Sequence, residues 1–244
     1  MIDWLRTCAV DSRQMARLER DNDQMVAIPP DYDSNPERRG SWRAPHDVHE
    51  MVGPELLGPV LDIGCCEGRL VASLARDVAW VGIDDSMAQI ARNPHRPVVR
   101  ADMHALPFRD GAFAEVAQLW CLYHLDDPVP AIREAYRVLR RGGRYFASTG
   151  ARDNDPEIMP EGYESSPFDA EEAAEIVGSV FPEVEPERWD GHFFPLVTRD
   201  EVRAYCRHHS IPPERAEAGA LPLWLTKRGV LVRATKPNAT RPDP

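Results

Sequence analysis

The run Val60-Leu61-Asp62-Ile63-Gly64-Cys65-Cys66-Glu67-Gly68-Arg69-Leu70 is a short apolar stretch that ends at an acid, turns through glycines and re-emerges as a helix. A strand buried on both faces of a parallel sheet gives such a continuous apolar run. Glycines directly after it allow a sharp turn and a close ligand approach where a Cβ would obstruct. A ligand held there lies at the carboxyl end of a strand, the usual crevice of open α/β sheets. The turn alone leaves the ligand open.

Composition narrows the field. The 244 residues suit one α/β domain with additions, and 43% apolar content supports a sizeable core. No apolar run approaches the roughly 18 residues of a membrane span. The opening MIDWLRTCAVDSRQ has an acid at position 3 and lacks the basic and apolar regions of a signal peptide, so a cytoplasmic location is expected. Five cysteines, two of them adjacent, read as reduced thiols and not as a disulfide framework. Adjacent Cys65 and Cys66 also lack C-x-x-C spacing, so no metal is expected. A net charge of −11 argues against a nucleic-acid partner held by phosphate contacts. Oligomeric state is not legible.

Outward from Val60, strands and helices alternate. Strands are expected at 60–63, 79–83, 97–101, 115–120 and 144–149. Helices are expected at about 68–76, over MAQIAR, and at 128–139, the last stopped by Gly142-Gly143. Such alternation predicts a doubly wound parallel sheet with right-handed crossovers. Residues 1–57 read as short amphipathic helices followed by a Pro-rich loop, either a lid over a ligand or a solvated connector with Trp42 packed on the core. Residues 151–168 are too polar for a regular element and read as an insertion. Ser166-Pro167-Phe168-Asp169 opens a helix to about Val180, Val184–Trp189 is a strand, Thr198–Glu201 is a capping box, and Gly229–Thr235 is a last strand. The tail 237–244 is expected to be disordered.

Three acids fall at successive strand ends: Asp62, Asp84 and Asp102. Asp84 lies 20 residues after Gly64, where an acid can accept both hydroxyl protons of a ribose. Asp102 sits farther along the same edge, where a carboxylate can accept an adenine amino group. Each acid could instead cap a neighbouring helix; their matching positions favour a nucleoside. The turn lacks the middle glycine of G-x-G-x-x-G, and no P-loop occurs, so a dinucleotide or a nucleoside triphosphate is disfavoured.

VLDIGCCEGRL, WVGIDDSMAQIARN, VRADMHALPFRDGAFAEV and LWCLYHLDDPVPAIREAYRVLRRGGRYFAST together resemble the class I S-adenosylmethionine-dependent methyltransferases, within them the small-molecule group with LPF and RVL-x-x-GG signatures. The likeness covers about residues 58–150. It implies a Rossmann-like seven-stranded sheet in the order 3-2-1-4-5-7-6 with the last strand antiparallel, in a domain over 58–236 whose residues 169–236 include the substrate-covering region. It implies S-adenosylmethionine as cofactor and S-adenosylhomocysteine as product. By position, Asp62, Gly64, Cys65, Cys66 and Gly68 would underlie its methionine and ribose. Asp84 with Asp85 would take the ribose hydroxyls, Met87 would pack on the adenine, Asp102 and the Met103 amide would meet its polar edge, and Gln118 and Leu119 would line the pocket below the sulfonium.

Departures are Cys66 in place of the usual middle glycine, Ala114 in place of an acid, and Tyr123-His124 in place of His-His. His124 could accept a proton from a hydroxyl or ammonium nucleophile, with Tyr123 shaping the pocket; a structural loop histidine is the alternative. Tyr32, Trp42, Tyr163 and Phe193 are candidate acceptor contacts. The expected function is methyl transfer to an N or O atom of a small molecule, with a specialised metabolite as one candidate. A non-methylating reaction such as a cyclisation, or a non-catalytic cofactor-binding partner, is the alternative.

Overall fold

The structure, a computed structural model, describes residues 47–160, 166–209 and 211–238. Seven strands form one sheet: β1 (Val60–Ile63), β2 (Trp80–Asp84), β3 (Val98–Arg100), β4 (Phe113–Leu119), β5 (Leu139–Gly150), β6 (Glu183–Leu196) and β7 (Leu223–Thr235). Their order is β3-β2-β1-β4-β5-β7-β6. The first five are parallel, and β7 runs antiparallel to both β5 and β6. The expected order and the antiparallel last strand are both observed.

All four residues of β1 are buried, as a central parallel strand requires. Alternation divides its side chains between two cores. Leu61 and Ile63 join Val81, Val116, Tyr145 and Val232 under α4 (Val129–Val138) and α5 (Ala173–Gly178). Val60 joins Trp80, Ala117, Phe146 and Leu231 under α1 (Val48–Val52), α2 (Arg69–Ser73) and α3 (Met87–Arg92). Helices on both faces make the sheet doubly wound. A third, smaller core joins Ile158, Phe194, Val202, Tyr205 and Leu225, bringing α6 (Arg199–His208) against the β6–β7 hairpin.

The segment after β3 is held by one arginine. Arg137 donates to the carbonyls of Phe108 at 2.7 Å and Leu106 at 3.0 Å and pairs with Glu134 and Asp110. Glu134 in turn accepts the Leu106 amide at 2.8 Å. The two stretches that carry the LPF and RVL signatures therefore clasp each other, which gives their side chains a structural role.

Several boundaries differ from expectation. Helix α2 spans only Arg69–Ser73, because Leu74 is already extended. Helix α4 ends at Val138 and the chain passes directly into β5, so Gly142-Gly143 does not stop the helix. Those glycines sit where the register with β4 shifts, and Gly142 has φ +69°. Helix α5 begins at Ala173, not Asp169; the Asp169 carboxylate instead accepts from Ser166 and pairs with Arg152. Strands β6 and β7 extend well beyond 184–189 and 229–235. Pro186 and Pro195 are tolerated there because β6 is an edge strand, where a missing N–H need not break the ladder. Within the expected insertion, Asp155 is fully buried, and in the expected tail Asn238 stands beside Gly142.

Candidate functional site

The carboxyl ends of β1 and β2 are tied together through the turn between them. The amides of Gly64 and Cys65 both donate to the Ile83 carbonyl at 2.9 Å. Beyond them Gly64, Cys66 and Gly68 have φ of +72°, +43° and +81°. Alternate residues thus occupy left-handed backbone, where a side chain is disfavoured. At Gly64 a Cβ would also fall 2.7 Å from the Cys121 Cβ at the end of β4. Cys66 adopts this conformation without being glycine, which carries the cost of a left-handed side chain.

Asp84 closes the turn. One carboxylate oxygen accepts the Cys66 amide at 3.0 Å and the other accepts the Ser86 amide at 2.9 Å. The Cys66 thiol hydrogen-bonds the same carboxylate, so an incoming hydroxyl would take the place of the thiol. Burial raises the Asp84 pKa against the pull of those two amides. Asp62 lies on the same edge, buried, with the Trp80 indole donating to it at 3.4 Å. Burial, with a smaller contribution from Asp84, pushes Asp62 up to about 7. Cys66 opens to solvent as a residue, yet its thiol lies low in the turn. Burial there, followed by the charges of Asp84 and Asp62, pushes it up to about 12, so it is a neutral thiol and not a nucleophile.

Asn93 is a member of this site that the sequence did not single out. It is buried after α3 and donates to the Cys66 carbonyl at 3.0 Å and to the Cys65 sulfur at 3.7 Å. Its own oxygen accepts the His95 amide at 2.9 Å. A Cβ on Gly68 would strike that oxygen at 2.7 Å, so glycine and asparagine interlock. No spacing rule marks such a residue; it is found only once the fold brings 93 back to 66.

The other expected positions divide. Ala101 donates to the Asp84 carbonyl, which sets Asp102 one strand beyond Asp84 on the same edge. Asp102 is exposed, and its carboxylate accepts the His104 amide at 2.8 Å, which holds its pKa below the ordinary value. Met87 packs on the second core and Met103 on the first, flanking the edge from opposite faces; Asp85 is exposed. Tyr123 and His124 follow β4 in a short 3-10 turn, rings 4.3 Å apart, with His124 exposed. One expectation fails for a side chain. Gln118 points into the first core and accepts from the Tyr145 hydroxyl at 2.7 Å, because even-numbered β4 positions near it face that layer. Cys65 is buried in the second core and offers the site its backbone, as expected. Leu119, in the same core, keeps just its strand-end position. Tyr32, Trp42 and Tyr163 lie outside the described residues, as does the side chain of Phe193. A cavity of about 410 Å³ beside Asp110, Tyr136, Arg141 and Lys236 lies at the opposite, amino ends of the strands.

The sheet order and the carboxylate-closed turn define a class I methyltransferase fold. Residues 61–147 match the Methyltransf_11 family, a methyltransferase domain. The chain is 32% identical over 170 residues to 27-O-demethylrifamycin SV methyltransferase of Amycolatopsis mediterranei, covering 65% of this chain and 55% of that protein. It is 30% identical over 162 residues to a probable S-adenosylmethionine-dependent methyltransferase of Mycolicibacterium smegmatis, covering 59% and 60%. The chain thus spans somewhat over half the length of these relatives. In fold it is similar to the [4+2]-cyclase SpnF, with a TM-score of 0.55 at 22% identity over 93% of this chain and 96% of that one. These matches support a class I S-adenosylmethionine-dependent methyltransferase domain with S-adenosylmethionine as cofactor. Among the described residues no helix is long and apolar enough to cross a membrane, and no group of His, Cys, Asp and Glu could hold a metal ion.

Proposed function

We propose that this protein transfers a methyl group to an N or O atom of a small molecule. The observation that carries the reading is Asp84 at the end of β2, facing a turn with three left-handed residues and holding it by the Cys66 amide. The chain fits the cofactor there: left-handed backbone at Gly64 and Gly68 bends the turn tightly around the end of β1, and the Asp84 carboxylate that faces it accepts ribose hydroxyls in place of the Cys66 thiol. Asp102, with the Met103 amide, takes the adenine edge, which requires His104 to share the carboxylate. Met87 covers the adenine from the α3 side. Asp62 supports the turn from below and acts through burial and charge.

S-Adenosylmethionine supplies a methyl already activated on a sulfonium. The protein's task is alignment and exclusion of water. The β6–β7 extension beyond Gly150, with α6 and residues 151–160, forms the third core at the carboxyl end of the sheet and is assigned to covering the acceptor. The fully buried Asp155, bonded by Lys227 at 2.8 Å and by Tyr205, ties these pieces together. His124, exposed past β4, accepts the proton of a hydroxyl or ammonium nucleophile.

The test is transfer of labelled methyl from S-adenosylmethionine into a fractionated small-molecule extract. Label in a discrete small product is expected. Binding of S-adenosylhomocysteine without any transfer would instead favour a non-methylating reaction or a cofactor-binding partner. With an acceptor in hand, His124→Asn should remove the pH dependence of turnover that a histidine base imposes; an unchanged profile removes His124 from the mechanism.

A further inference from the structure

Trp120 is the first residue after β4 and stands at φ +58°, a conformation that a bulky side chain rarely adopts. Its amide donates to the Ser148 carbonyl of β5 at 3.2 Å, so the strained residue is fastened at the carboxyl end of the sheet. Its ring meets Trp189 of β6 edge-on, centroids 6.0 Å apart at 61°. Trp189 lies opposite Gly229 of β7, which lies opposite Gly150, the last residue of β5. A Cβ on Gly229 would fall 2.3 Å from the Trp189 ring. Glycine at 229 is therefore what lets the ring reach across β7 towards Trp120. Both rings are only partly buried against the second core.

Ser148 pairs with Leu119 on β4 and Leu231 on β7, both of the second core, and shares their face of the sheet. It is buried, and its hydroxyl has no hydrogen-bond partner among the described residues. An orphaned hydroxyl amid apolar neighbours is uncommon and calls for an explanation. A strained tryptophan, a glycine required by a second tryptophan and an unpartnered hydroxyl thus converge at the carboxyl ends of β4 and β5. None of the three serves the residues assigned to the cofactor.

We infer that Trp120 and Trp189 form the acceptor wall and select a flat, unsaturated ring bearing polar substituents. The inference rests on the methyltransferase reading of the adjoining edge. Offset and edge-to-face contacts favour such a ring over a puckered saturated one of equal size, and an aromatic face supplies area at little conformational cost.

The probe is naphthalenediol, compared with its saturated counterpart decalindiol, each titrated by calorimetry with and without S-adenosylhomocysteine. Wild type should bind naphthalenediol about tenfold or more tightly than decalindiol. Trp189→Leu and Trp120→Gly, the latter suited to the left-handed backbone, should each lower naphthalenediol affinity about tenfold while circular dichroism stays unchanged. Equal binding of the two diols, no binding of naphthalenediol, or unaltered affinity in both variants would overturn the proposal. Naphthalenediol binding that survives a failure to bind S-adenosylhomocysteine would overturn the cofactor reading and leave the wall standing.

Discussion

Replacing Asp62 with asparagine should make the folded protein less sensitive to alkaline pH. The carboxyl is buried at the end of β1, and burial with a neighbouring Asp84 pushes it from 3.8 to about 7. A carboxyl with a raised pKa binds its proton more tightly when folded than when unfolded. Its stability contribution is therefore greatest below its unfolded pKa, declines as pH rises, and is exhausted above about 7. Each pH unit between the two values is worth about 1.4 kcal/mol, so the decline from about pH 5.5 to 8.5 is about 2 kcal/mol. Asp84 is shifted in the same direction and adds to the slope in wild type. Asparagine preserves the shape and the acceptor for the Trp80 indole but carries no charge. Urea unfolding at the two pH values should show Asp62→Asn gaining about 2 kcal/mol on wild type at the alkaline end, with near-equal urea dependence. Parallel pH profiles within about 0.5 kcal/mol would refute the argument that Asp62 is buried beside a second carboxylate.

Cys66→Gly should stabilise the chain by about 0.5–1 kcal/mol, since relief of left-handed strain exceeds the entropy cost of glycine, and should keep S-adenosylhomocysteine affinity within about threefold. A large loss of affinity would mean that the Cys66 side chain itself contacts the ligand. Asn93→Ala should cost about 2 kcal/mol by urea unfolding, because it strands the Cys66 carbonyl, and should weaken S-adenosylhomocysteine about tenfold by loosening the turn. Unchanged stability and affinity would show that Asn93 does not hold it.

The sheet was legible because its signals are local. Short apolar runs ending in acids, separated by helix-length segments, place β1 to β3 and their carboxyl edge. Asp84 was legible for the same reason, as the acid a fixed distance beyond the glycine turn. Only the 184–189 and 229–235 parts of the long antiparallel β6–β7 pair were legible, since the stretches 190–196 and 223–228 extend past the rest of the sheet and pair mainly with each other. Side-chain direction was the other gap. Gln118 looks like a polar strand-end residue suited to a pocket, but strand alternation turns it inward to Tyr145. Asn93 and Trp120 escaped notice because their significance lies in backbone approach and left-handed dihedrals, neither of which composition or spacing encodes.

The central claim is that the edge formed by the glycine turn and Asp84 holds the adenosyl part of S-adenosylmethionine. Titration calorimetry with S-adenosylhomocysteine tests it directly. Wild type should bind measurably below about 100 µM ligand, and Asp84→Asn, with its fold verified by circular dichroism, should bind about tenfold or more weakly. An absence of binding by wild type at about 100 µM ligand, or equal affinity in the two proteins, would contradict the account.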